Sequence, residues 1–227
     1  MTPLPRKCLA EIFGTFCLVF AGTGAIVIDA ASGGAITHLG IALTFGLVVT
    51  AMIYTVGDVS GAHLNPPVTL GFFAARRMDG REVLPYIASQ LAGALAASGL
   101  LRLLFPANPT LGLTQPAGSA AQSFALETVL TMILMLVILS VSTGAREKGI
   151  TAGIAVGAVI ALEALFAGPI CGASMNPARS IAPALVSGHL QSLWAYILAP
   201  LLGALLAVPL CRGIRSGQCC CPQPSTP

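Results

Sequence analysis

Apolar residues run along this chain in six long segments, about 8–29, 36–57, 83–105, 123–143, 150–168 and 191–212. Each approaches the ~20 predominantly apolar residues that an α-helix needs to cross roughly 30 Å of hydrocarbon. Six spanning helices are therefore predicted. Two further apolar stretches, near 65–75 and 176–187, are about half a span long and need a different explanation.

Composition agrees with the pattern. The 227 residues are 56% hydrophobic and only 8% charged, with a mean hydropathy of +0.88. A soluble domain carries about a quarter charged residues to build a solvated surface; this chain cannot, and a bilayer removes the need. The net charge of +3 is small and no basic face interleaved with aromatics occurs, so nucleic acid is not an expected partner. Arg6 and Lys7 lead directly into the first apolar run, which reads as a retained helix and not as a cleaved leader.

Lysine and arginine set the orientation. Arg6 and Lys7 precede span one; Arg76, Arg77 and Arg81 lie between spans two and three; Arg146 and Lys148 between spans four and five; Arg212 and Arg215 after span six. With alternating spans all these fall on one side, and the other side holds only Arg102 and Arg179. Both termini are expected in the cytoplasm.

The chain repeats itself. Glu11-x-x-x-Thr15 opens span one and Glu127-x-x-x-Thr131 opens span four. Gly61-Ala62-His63-Leu64-Asn65-Pro66-Pro67 follows span two, and Gly172-Ala173-Ser174-Met175-Asn176-Pro177-Ala178 follows span five. Each repeat holds three spans, an odd number, so the second inserts upside down relative to the first, and the functional site of such a repeat lies near the midplane. The chain divides into one unit over 1–212 (repeat one 8–105, linker 106–122, repeat two 123–212) and a tail over 213–227 that reads as disordered.

Asparagine is a preferred N-cap, and proline suits the first helical position because its missing N–H has no helical partner there. Asn65-Pro66 and Asn176-Pro177 each therefore start a helix. A helix of about 10 residues covers about 15 Å, so two half-helices dipping in from opposite faces cover one membrane and bring their N-termini together at the centre. Each terminus carries roughly half a positive charge. Unwound backbone before each is tolerated only where it lines a cavity. A narrow polar path follows, with carbonyl acceptors along it and two Asn amides at its centre. It opposes cations and protons, and it favours neutral solutes. Pro67 leaves Asn65 only the Val68 N–H to cap, so Asn65 is expected to be held less firmly than Asn176.

These motifs, the repeat and the six-span layout resemble the major intrinsic protein family, the aquaporins and glycerol facilitators. The resemblance covers about 8–212, and the strings SGAHLNPPVTLG and CGASMNPARS carry it. It implies an all-α integral membrane fold: six transmembrane helices and two re-entrant half-helices in an inverted repeat. It also implies a passive channel with no cofactor, in a homotetramer with one pore per subunit. The family's first motif is usually Asn-Pro-Ala, from which Pro67 departs. Counting from the motifs, the resemblance places a selectivity filter at Phe45, Ala164, Ala173 and Arg179. Ala164, where water-strict members carry His, implies a wider pore. Together with Tyr196, Ile197 and Ala184, it points to the nodulin-like intrinsic proteins and their bacterial relatives, which carry glycerol, urea, ammonia and metalloid hydroxides such as arsenite. A predominantly water-selective channel is the alternative. The short loops fit a bacterial inner membrane.

Glu11 and Glu127 support the re-entrant loops, as in the family, in preference to relaying protons. His63 is expected to line the cytoplasmic half of the path, with a packing role as the competing reading. Glu163, next to the filter position, stays unassigned, and Asp58 is expected to cap span two. Gly14, Gly22, Gly24, Gly93 and Gly203 are expected at close helix contacts. No zinc-ligand spacing joins the scattered His and Cys residues, a disulfide framework is not expected, and Cys219, Cys220 and Cys221 read as part of an inert tail. No nucleophile–base pair suggests an enzyme. A coupled transporter would need ion ligands beside the path, and a vestigial scaffold would not need Asn65, Asn176 and Arg179.

Overall fold

Eight helices make up the described residues of a computed structural model: α1 (Leu4–Ala31), α2 (Thr37–Ser60), α3 (Pro66–Ala74), α4 (Gly80–Leu104), α5 (Ala120–Val141), α6 (Arg146–Cys171), α7 (Pro177–Ser187) and α8 (Leu193–Ile214). The described residues are 2–142 and 146–215, without the side chains of 146–150. Six helices have the length and apolarity of membrane spans. The two short ones, α3 and α7, begin at the Asn-Pro motifs as predicted. Several spans extend past their apolar runs, because hydropathy marks only the part in hydrocarbon. Thus α1 begins at Leu4, and α4 starts on the Asp79 cap, whose side chain accepts from the Arg81 N–H. Lys7 pairs with Glu82 at 2.7 Å and ties those two starts together.

The repeat is visible in the packing. α1 lies on α4, α5 on α8, and α2 meets α6. A Cβ on Gly93 would collide with the Ile12 carbonyl oxygen, and one on Gly203 with that of Thr128, at equivalent places in the two halves. At the α2–α6 crossing, Gly46 and Gly157 face each other, each leaving room for the other's carbonyl at 2.5 Å from its ideal Cβ. Small residues serve here because lipid gives helices no hydrophobic reason to associate; close contact holds them. The sequence reading missed Gly46 and Gly157. It also named Gly24, which makes only an ordinary 3.5 Å contact with Leu101. Outward-facing positions such as Leu9, Leu47, Leu84, Leu103 and Leu162 are large, apolar and exposed, as contact with lipid tails requires.

Three expectations need correction. α2 ends on Gly61, in the left-handed region at φ 85°, and Asp58 lies inside the helix. α8 continues to Ile214, so the tail begins beyond 213; residues 216–227, with Cys219, Cys220 and Cys221, lie outside the described residues. Among the described cysteines Cys8, Cys17 and Cys171 are free thiols, whereas Cys211 is disulfide-bonded.

Candidate pore and constriction

The segment before each half-helix is forced into an unusual backbone. Gly61, Ala62 and Leu64 have φ of 85°, 47° and 53°; Gly172, Ala173 and Met175 have 82°, 40° and 53°. Left-handed conformations are unfavourable for residues with a Cβ, so something must hold them. Two buried carboxylates do. Glu11 Oε1 accepts from the His63 N–H at 2.9 Å and Oε2 from the Leu64 N–H at 2.7 Å. Glu127 Oε1 and Oε2 accept from the Ser174 and Met175 N–H groups, each at 2.7 Å.

Repeat one is fastened further. Ser60 Oγ and Gln90 Nε2 also donate to Glu11, at 2.7 and 2.8 Å, and Gln90 reaches Thr69 Oγ1 at 3.0 Å. Thr69 Oγ1 in turn lies 3.1 Å from His63 Nδ1. The His63 ring stacks on Phe72 and tilts against Tyr86, whose hydroxyl donates to the Ser60 carbonyl. The His63 ring is thus held between Phe72 and Tyr86. Gln90 went unnoticed in the sequence.

The half-helix N-termini meet. Asn65 Nδ2 donates to the Met175 carbonyl and Asn176 Nδ2 to the Leu64 carbonyl, both at 2.8 Å. Each Asn thereby grips the other repeat's loop. The caps differ: Asn176 Oδ1 accepts from the Ala178 and Arg179 N–H groups, while Asn65 Oδ1 caps nothing. The Val68 N–H that Pro67 leaves in place is not used.

A cavity of about 110 Å³ runs past these groups, several times the ~10–15 Å³ that one water needs. Phe45, Ala164, Ala173 and Arg179 all line it, as do Asn65, Asn176 and His63. One wall is apolar, formed by successive turns of α2 (Phe45, Val49, Ile53) and α6 (Ala152, Val156, Ile160, Ala164). The other is the backbone of the two loops. Beyond His63 a second cavity opens among Lys7, Asp58, Arg77 and Glu82.

Arg179 is 2% exposed. Its Nη1 donates to the Gly112 carbonyl at 2.8 Å, and its guanidinium lies 5.2 Å from the centroid of the Phe45 ring. Gly112, with φ 70°, sits so close to Thr23 that a Cβ would meet the Thr23 carbonyl at 2.8 Å. The linker, read from sequence as a connection only, is therefore folded onto α1 and aims a carbonyl at Arg179. Thr114 in the same segment donates to Ser180 Oγ at 2.8 Å. Gly22 backs Phe45: a Cβ there would overlap the ring.

The sequence matches the profile of the major intrinsic protein family over residues 2–210. It is 50% identical over 204 residues to Aquaporin NIP1-1 of Oryza sativa subsp. japonica, covering 89% of this chain and 72% of that protein. It is 45% identical over 204 residues to Nodulin-26 of Glycine max, covering 89% and 75%. The fold matches the aquaglyceroporin from Plasmodium falciparum with a TM-score of 0.85 at 24% identity, covering 94% of this chain and 98% of that one. These relatives by sequence are plant proteins, so a bacterial inner membrane gains no support from them. The chain belongs to the major intrinsic protein family, and it is an integral membrane channel for small neutral solutes, not an enzyme.

Proposed function

We propose that the pore passes water together with larger neutral solutes, of the class of glycerol, urea, ammonia or undissociated metalloid hydroxides such as arsenite. The observation that carries this is the composition of the constriction. Of its four residues, Phe45, Ala164, Ala173 and Arg179, two end at Cβ and leave the width to be set by the Phe45–Arg179 pair. Pore width, lining donors and electrostatic barriers decide selectivity in aquaporin-type channels generally.

The division of work follows from the geometry. Arg179 donates to a solute oxygen and repels cations, with Gly112 and Phe45 fixing its guanidinium. The apolar wall of α2 and α6 accepts a solute's carbon face while the loop backbone accepts its hydroxyl or amide hydrogens. At the centre, Asn65 and Asn176 each spend one amide hydrogen on the opposite loop and keep one for the solute, and the positive ends of α3 and α7 oppose protons and cations. Glu11 and Glu127 hold the loops and take no part in transport. The chain through the end of α8 at Ile214 acts as one channel unit with both termini cytoplasmic, as the distribution of Lys and Arg supports, in a homotetramer with a pore in each subunit.

Replacing Ala164 with His tests the reading. It narrows the constriction and adds a donor, so glycerol and urea flux should collapse while water flux persists. Unchanged glycerol flux in Ala164→His would place the limiting width elsewhere, and a wild type passing only water would establish the water-selective alternative.

A further inference from the structure

Glu163 is the one acidic side chain among the described residues that is buried with no partner at either carboxyl oxygen; it is 1% exposed. Its place on α6 is informative. Ala152, Val156, Ile160 and Ala164 line the cavity. At ~100° per residue in a 3.6-residue turn, the position seven after Val156 returns to within about 20° of it. That position is Glu163, so its Cβ leaves the helix on the side of the lining residues although its carboxyl is shut away from the lumen. The neighbouring acid, Glu127, already accepts the Ser174 and Met175 N–H groups, and no hydrogen bond joins the two carboxyls.

A carboxyl buried without a partner is unfavourable, and an orphan polar group calls for an explanation. If it were only filler, an apolar side chain would serve better. The alternative is a partner that arrives and leaves. Ala164, next to Glu163 in the chain, and Ala173 both end at Cβ on the stretch of lumen that Arg179 also lines.

We propose that Glu163 is a solute-contacting residue of the constriction: its carboxyl turns past Ala164 into the lumen and accepts a hydrogen bond from a solute O–H or N–H, while Arg179 donates to an oxygen of the same molecule. The pair favours solutes that carry a donor and an acceptor a few bonds apart, such as polyols, over solutes with one polar group. This rests on the multi-solute reading above.

The test is stopped-flow measurement of glycerol and water permeability in proteoliposomes, per unit of reconstituted protein, for wild type, Glu163→Leu and Glu163→Gln. Glu163→Leu removes an unpartnered buried polar group and is expected to unfold in detergent no earlier than wild type. It should keep water permeability within about twofold and lose glycerol permeability by about fivefold or more, the scale of one hydrogen bond. Glu163→Gln keeps an acceptor oxygen at the same reach and should stay within about twofold for both solutes. An unchanged glycerol-to-water ratio in Glu163→Leu overturns the proposal. So does an equal loss in Glu163→Gln, or a joint fall of both permeabilities with the unfolding midpoint. A wild type that passes water but no glycerol overturns the multi-solute reading and this proposal with it; a wild type that passes glycerol, with the ratio unchanged in Glu163→Leu, overturns this proposal alone.

Discussion

Asn176 caps its half-helix with two accepted hydrogen bonds, and Asn65 caps its own with none. Both still donate to the opposite loop at 2.8 Å, so the asymmetry lies on the oxygen side of the two amides. Pro67 has no N–H where Ala178 supplies one, which accounts for one of the two missing bonds. Repeat one makes up the difference around Thr69, which Gln90 and His63 both contact.

Pro67→Ala restores that N–H. The expected outcome is a hydrogen bond of about 3 Å from the residue 67 N–H to Asn65 Oδ1 in the variant's structure. The cap contributes ~1 kcal/mol, and loss of the proline's stiffening of the unfolded chain removes about half of that gain or more, so stability should change little. An Asn65 oxygen that stays uncapped in the variant would show that Pro67 is not the cause.

The carboxylates should matter most to folding. Glu127→Ala strips acceptors from the buried Ser174 and Met175 N–H groups, at ~1–3 kcal/mol each, and frees a loop held in left-handed conformations. A fall in the yield and unfolding temperature of detergent-solubilised protein, with loss of all flux, is expected. Glu11→Ala should behave alike. Normal water flux in either variant would mean that the loops hold themselves.

Gly22→Ala pushes on the Phe45 ring from behind. Overpacking of this kind costs typically ~1–3 kcal/mol, and it pushes the ring from the α1 side, with Arg179 5.2 Å from the ring centroid. Glycerol flux should therefore drop more than water flux, which paired permeability measurements would register. Equal drops would indicate general destabilisation instead.

Much of this was written plainly in the sequence. A spanning helix needs a long apolar run, a half-helix starting with Asn-Pro is short and apolar, and an inverted repeat shows as paired motifs; each is a local signal. Phe45, Ala164, Ala173 and Arg179 line one cavity, and what pointed to them in the sequence was the resemblance to the family, counted from those motifs. What could not be read depends on backbone meeting backbone across the fold. The Gly112 carbonyl that holds Arg179 belongs to a connecting segment rich in Pro, Gly, Ser and Thr, and any residue has a carbonyl. Gly46 and Gly157 look like many other glycines until α2 crosses α6. Gln90 sits in an apolar span with no partner nearby in sequence; only the fold brings Glu11 and Thr69 to it.

Arg179→Ala removes the one guanidinium in the constriction and leaves Phe45 without its partner. Neutral flux should persist or rise, and a cation or proton leak absent from wild type should appear, since the barrier beside the lumen is lost. Conductance recordings on reconstituted membranes check this; a variant still tight to ions would assign the barrier to the half-helix termini alone.

The central claim is a passive pore wide enough for more than water. Light scattering by proteoliposomes, comparing water, glycerol, urea and arsenite flux with no ion gradient applied, tests it most directly. Fast flux of the larger solutes, linear in their concentration difference, is the predicted result. Fast water with none of the larger solutes, or flux that saturates and needs an ion gradient, would contradict it.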